Sequence, residues 1–349
     1  MRFAWLAWFA LSACTPGRGD PPGVTHAASD AGTVRSPPRV AAVSPPAATA
    51  SAPDTPTSCV DDAAPYDVAT LRAQLTQLAA PALDGRAAGS TGDAAVRAYL
   101  IERFRCLGLS PGGAGASYEQ PFDAGGRATA NVIGYFAGDD PAVGRDIIVV
   151  GAHHDHLGDG HLGANDNASG VVALLAIAQA VRQRGAPHRT IAFALFGGEE
   201  LGLLGSQAFA ADPPAALPLA RVVYDINLDM VGSYASAGAV YAMGTFRGLP
   251  ATAIVRDLQR ARPALHVGVG GRGVGSDHEA LCAAGVPYVF FWTPDKRCYH
   301  ARCDTVERLD VDHLVEIAEL AGALVERLAA SPLDLAASRA RLGCTGKPG

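Results

Sequence analysis

Several things are scarce in this 349-residue chain, and each scarcity removes a class of function. No run of Lys or Arg stands out and the formal net charge is −6, so the chain has no electrostatic footprint for nucleic acid. The N-terminal apolar run, residues 3–11, is too short to span a bilayer as a mature helix. No internal repeat recurs. The glycine-rich stretch 268–275 has no following Lys-Ser/Thr and no clear strand-to-helix frame, so it reads as a mobile rim loop and not as a phosphate cradle.

The short apolar run suits a different role. Arg2 precedes it and Leu11-Ser12-Ala13-Cys14 follows, a tetrad that resembles a bacterial lipobox. Residues 1–13 are then a signal peptide, and the mature chain starts at a lipidated Cys14 whose acyl chains anchor it in a membrane of the cell envelope. Thr15 at the next position resembles outer-membrane sorting, where a cell has two membranes. Residues 14–64 are dominated by Pro, Ala, Ser, Thr and Gly, cannot build a core, and are expected to form a disordered tether.

From residue 65 to 342 the pattern changes to that of one α/β domain, with 343–349 left as a tail. Strand-like runs at 129–136, 146–151, 190–196, 221–228, 239–243 and 287–292 alternate with helical patterns at 67–79, 93–108, 168–184, 250–261 and 311–328. That alternation predicts a mostly parallel central sheet flanked by helices, with its site at the carboxyl ends of the strands.

Those ends carry chemistry. Apolar runs terminate in His153, in Glu199-Glu200 and in Asp229, while Asp166 lies in a polar turn before an apolar helix and His300 follows Cys298-Tyr299. Imidazoles and carboxylates suit zinc, and the lack of a Cys in the set argues against a closed structural site. Neighbouring side chains diverge, so one of the paired glutamates can bind metal while the other faces water as a general base. Asp155, two residues past His153, is expected to fix the tautomer of that ring. His154, His156 and His161 read as loop or supporting groups, His188, His266 and His313 as surface residues, and His278 receives no role.

In GAHHDHLG, GANDNASG, GGEE, NLDMVG and YHARCDT, taken in that order, the chain resembles the M28 family of zinc aminopeptidases over residues 66–328. The resemblance implies a zinc-exopeptidase, phosphorylase/hydrolase-like architecture and two zinc ions. Asp166 would bridge both, His153 and Asp229 would complete one site, Glu200 and His300 the other, and Glu199 would be the base. Only about fifty residues separate the helix ending near Gly108 from His153, too few for the accessory domain that some relatives insert there. A glutaminyl-cyclase-like acyltransferase, a carboxypeptidase and a non-catalytic ectodomain are the alternatives within the same fold. The clustered carboxylates and the lack of a basic cluster in the motifs favour a peptide amine over a peptide carboxylate as the end that is read. Peptides are the expected substrates, and a monomer the expected state.

With Cys14 set aside, six of the seven cysteines remain, an even number compatible with disulfides. Pairing is open, but a Cys298–Cys303 bridge would clamp the loop presenting His300, and Cys282 reads as a buried thiol. Tyr118, Phe122, Phe246, Tyr288, Phe291 and Trp292 are candidates for an apolar subsite.

Overall fold

Three apolar runs set the centre of the fold. In the computed structural model, which describes residues 64–346, the order is α1 (Val68–Leu78), α2 (Thr91–Cys106), β1 (Ser110–Pro111), β2 (Glu119–Asp123), β3 (Ala128–Phe136), β4 (Ile147–His153), α3 (Gly170–Arg184), β5 (Thr190–Phe196), α4 (Leu204–Ala211), β6 (Val222–Leu228), α5 (Tyr234–Ala237), β7 (Val240–Met243), α6 (Pro250–Arg260), β8 (Val267–Val269), α7 (His278–Ala283), β9 (Tyr288–Trp292), α8 (Val311–Ala329) and α9 (Leu335–Leu342). The expected signal peptide, the lipidated Cys14 and the tether up to residue 63 lie outside the described residues.

Every residue of β4, β5 and β6 is buried, Asp225 and Asn227 of β6 included, as when both faces of a sheet are covered. Alternation divides them between two cores. Ile148 and Val150 face a large core with α1, α3 and α8, whereas Ile147 and Val149 face a smaller one with Phe209 of α4 and Leu281 of α7. Helix α3 is buried from Gly170 through Val181, as a helix apolar all round must be. Aspartate or serine side chains cap α1, α2, α8 and α9 through Asp67, Ser90, Asp310 and Asp334.

The strand order is β1-β3-β5-β4-β6-β9-β7-β8, with β2 added on β3. Parallel pairing holds the centre, β5-β4-β6-β9, and joins β7 to β8, while β3 and β7 meet the centre antiparallel. The chain leaves β4 for β5 on one side and later returns to β6 on the other. That change of direction is the topological switch point, where open α/β sheets form their crevice.

Among the described cysteines, Cys298 and Cys303 form one disulfide. Cys282 joins Cys344 in another, which corrects its reading as a simple buried thiol and carries the ordered structure past Leu342 into the expected tail.

Candidate metal centre

β4 ends on His153, and the chain after β6 continues directly into Asp229, so the parallel register brings an imidazole and a carboxylate to one rim. His153 Nε2 lies 3.4 Å from Asp229 Oδ1 and 3.3 Å from Asp166 Oδ1. The other oxygen of Asp166 lies 3.2 Å from His300 Nε2, and His300 Nε2 is in turn 3.0 Å from Glu200 Oε2. Asp166 therefore presents one oxygen to each of two groups. His153, Glu199 and Asp229 converge in one, and His156, Asp166 and Glu200 in the other.

The backbone reaches these positions by local devices. Gly163 is left-handed, and a Cβ there would meet Asp166 O at 2.3 Å and the His156 ring at 2.6 Å, so only glycine fits. A cis peptide joins Asp166 to Asn167. Asn165 Oδ1 accepts from Gly232 N, Ser169 Oγ from Val231 N and Asn167 Oδ1 from Met230 N, which stitches the Asp166 segment to the loop after β6. Asp304 accepts from Asn165 N at 2.7 Å and from Asp166 N at 2.9 Å, tying the same segment to the loop of His300. His300 itself is left-handed at φ 53°, a backbone strain of the kind found at functional sites.

Asp155 acts on two neighbours at once. Its carboxylate accepts from the N–H groups of Glu199 and Glu200, so it holds the paired glutamates. For His153 Nδ1 the nearer partner is the Asp155 carbonyl at 3.2 Å, with the carboxylate at 3.6 Å. The tautomer is thus set by the backbone more than by the expected carboxylate.

Electrostatics follow burial. Burial pushes the Glu199 carboxyl up to about 10, with Asp229, Asp277 and Glu200 adding to it and His153 opposing. Burial works against ionisation of Asp166, but the imidazoles of His153 and His300, 3.3 and 3.2 Å from its two oxygens, overcome it and hold that carboxyl well below its ordinary value. Burial also disfavours a charged His153, and the surrounding Glu199 and Asp229 charges outweigh it, raising its pKa. His300 is raised mainly by the Asp166 carboxylate 3.2 Å from its Nε2.

The structure also places residues that the sequence left without a role. His156 is buried, its Nδ1 2.7 Å from Glu200 Oε1, so it faces His300 across the same carboxylate. Its spacing three residues after His153 is the one sequence signal it carries. His154 is buried too, but turns away to Asp93 at 3.1 Å, and His161 bonds only to Gly158 O. His188 and His266 are exposed as expected, while His313 stacks on Tyr234 at 4.2 Å.

A cleft of about 580 Å³ opens beside the centre, lined among others by Asp166, Glu199, Asp229, Met230, Met243, Phe290 and Trp292. Of the six aromatic candidates, only Trp292 lines it. Phe291 and Tyr288 are buried in the sheet, Phe246 stands edge-on to Tyr288, Tyr118 is tilted against Phe104, and the Phe122 ring lies beside Gly198. Arg272 and Lys296 reach the cleft from outside the motifs, so the basic groups missing from the motifs are supplied by loops. A larger cavity, about 710 Å³, lies between α6 and α9 and contains none of these imidazoles or carboxylates.

His153 Nε2, His156 Nε2, Asp166 Oδ2 and Asp229 Oδ1 are buried without a hydrogen-bond partner of good geometry. Buried lone pairs gathered in this way are unfavourable unless a cation joins them, and a nitrogen–oxygen donor set without sulfur fits zinc. A switch-point crevice walled by such donors defines a metal-binding α/β protein. Residues 131–325 match the profile of peptidase family M28, and this chain belongs to that family. It is 30% identical over 294 residues to leupeptin-inactivating enzyme 1 of Streptomyces exfoliatus, covering 77% of this chain and 62% of that one. With aminopeptidase YwaD of Bacillus subtilis it shares 32% over 191 residues, 52% of this chain and 40% of the other. The chain thus spans less than two thirds of each of these relatives. The fold is also that of BSAP, a zinc aminopeptidase from Bacillus subtilis, with a TM-score of 0.65 at 17% identity, covering 78% of this chain and 98% of that one.

Proposed function

We propose that this protein is a zinc-dependent aminopeptidase that removes N-terminal residues from peptides, using two zinc ions per chain. The observation that carries the reading is Asp166, whose two oxygens face His153 and His300 respectively. In this assignment His153 and Asp229 hold one ion, Glu200 and His300 the other, and Asp166 both. Zinc held there activates water and polarises the scissile carbonyl.

The protein's own groups do the rest. Glu199, half-buried beside His153 and Asp229, is held un-ionised by burial and the neighbouring carboxylates; with cations offsetting those charges it is freed to take a proton from the attacking water and return it to the departing amine as the C–N bond breaks. Asp155 keeps that carboxylate aimed by holding the backbone N–H of Glu199. The acidic floor of the cleft favours a protonated substrate amine, and Met230, Met243, Phe290 and Trp292 favour an apolar first side chain. The names of the relatives, aminopeptidases among them, favour this over the glutaminyl-cyclase-like reading.

The proposal extends to the N-terminus. A chain lipidated at Cys14 and held by a Pro-rich tether would work as a monomer at the face of an envelope membrane, and mass spectrometry of envelope-purified protein would detect the modified Cys14.

Zinc-loaded protein should release the first residue of free peptides and lose most of that turnover on N-acetylated ones. Glu199→Gln should keep its zinc while losing roughly 10²–10⁴ in rate. Equal turnover of the acetylated peptide would sink the amine-end reading, and a fully active Glu199→Gln variant would remove the base.

A further inference from the structure

The cleft is not uniformly acidic. Its floor holds Asp166, Glu199 and Asp229, yet its wall includes Arg272 and Lys296, both exposed and neither in an ion pair among the described residues. The acid closest in sequence to Lys296 is engaged elsewhere. Asp295 accepts from Arg297 N and Cys298 N through one oxygen and from Ser233 Oγ through the other. Among the described residues no carboxylate forms an ion pair with either cation.

Both are presented by anchored backbone. Arg272 sits in the glycine-rich 268–275 segment, whose Gly273 N donates to Tyr288 Oη. Gly273 packs so closely that a Cβ would meet Phe290 Cδ1 at 2.6 Å and His278 Nε2 at 2.9 Å, so this stretch lies pressed onto the cleft wall. Lys296 precedes the Cys298–Cys303 disulfide and stands on the turn that Asp295 caps.

We infer that Arg272 and Lys296 form a carboxylate-reading edge of the cleft, and that the preferred substrates are peptides with an apolar first residue and a carboxylate within one or two residues downstream. The inference rests on the aminopeptidase reading and adds the other end of the substrate to it. An amine on the acidic floor and a carboxylate on the basic edge satisfy two charges of opposite sign along one cleft. Guanidinium and ammonium donors give charge-assisted bonds to such a carboxylate, the guanidinium in a bidentate fork. The carboxylate is either the C-terminus of a very short peptide or an acidic side chain at the second position.

Two pairs of peptides separate these sources. Zinc-loaded protein is assayed on Leu-Gly against Leu-Gly-amide, and on Leu-Glu-amide against Leu-Gln-amide. At least one pair should show kcat/KM higher for the charged member by roughly tenfold or more. In an Arg272→Gln/Lys296→Gln double variant that ratio should fall to near one, and in Arg272→Lys it should persist in part. A preference in the first pair assigns the edge to the C-terminus, and in the second to the side chain. Equal kcat/KM within both pairs, or a ratio unchanged in the double variant, overturns the inference. Calorimetric titration of the same peptides into zinc-loaded Glu199→Gln protein reads the edge without turnover. If no peptide is cleaved, the aminopeptidase reading fails while the binding ratio still decides for or against the edge, equal affinities within both pairs deciding against it.

Discussion

Two regions of this protein bury charge, and they treat it in opposite ways. Arg86 is fully buried and donates to the carbonyls of Leu78, His154, Leu162 and Gly163 at 2.7–2.9 Å. Arg189, also fully buried, donates to the carbonyls of Leu328, Ala329, Ser331 and Leu333. Each guanidinium is held chiefly by backbone oxygens, with the Asp146 carboxylate 3.5 Å from Arg189 Nε as well. At the rim of β4 and β6 the reverse holds, since acceptors are gathered without donors to match. Where a fold answers its own buried charges, the role is structural. Where several such atoms are left unanswered side by side on one crevice, as on His153, His156, Asp166 and Asp229, a ligand is the natural answer.

The comparison can be broken most severely at Asp166. Asp166→Ala should abolish turnover and remove most of the bound zinc, because it takes ligand atoms from both groups at once. Retention of full metal content by elemental analysis would place the ions elsewhere. Next in size is Arg86→Met, which leaves four carbonyls behind and should destabilise by about 3–5 kcal/mol in urea unfolding. A loss under 1 kcal/mol would mean that water replaces the guanidinium there.

A third test concerns His278, buried against Tyr288 and Phe290 with no partner for either ring nitrogen. Burial lowers its pKa from 6.5 to about 4. Between those values the unfolded chain takes up a proton that the folded protein refuses, so stability falls as pH drops through that window. The full loss is about 3 kcal/mol. Melting of metal-free protein from pH 7 to pH 4 should show it, and His278→Asn should flatten the slope. An unchanged slope in the variant would assign the loss to other groups. Smallest is reduction of Cys298–Cys303, whose short loop contributes roughly 2 kcal/mol through chain entropy. Zinc affinity should weaken before the domain melts, and simultaneous loss of both would show that the bridge supports the fold more than the His300 loop.

The central strands were legible in the sequence because a strand buried on both faces reads as a largely apolar run, as β4 and β5 do and as β6 does apart from Asp225 and Asn227. Short or mixed elements were not. β2 reads Glu-Gln-Pro-Phe-Asp and pairs only with β3, and α7 has six residues, so neither leaves a periodic signal. Residues at strand ends announce themselves by interrupting the run, which is how His153, Glu199, Glu200 and Asp229 stood out. Arg86 and Asp304 bond to backbone far along the chain, and no local pattern encodes such a partner. His156 was hidden by the two histidines just before it. Arg272 was passed over because glycines surround it, although those glycines are what bring it to the cleft.

The two hydrogen bonds that Asp304 accepts from Asn165 N and Asp166 N span 139 and 138 positions. A chain emerging from the ribosome has therefore made β4, β5 and β6 long before the residue that locks the Asp166 turn against His300 exists. No fragment that stops short of that point can contain the whole centre, whatever part of the sheet it has formed. On the proposed reading turnover needs the chain through Asp304, and contacts of such long range are slow to close.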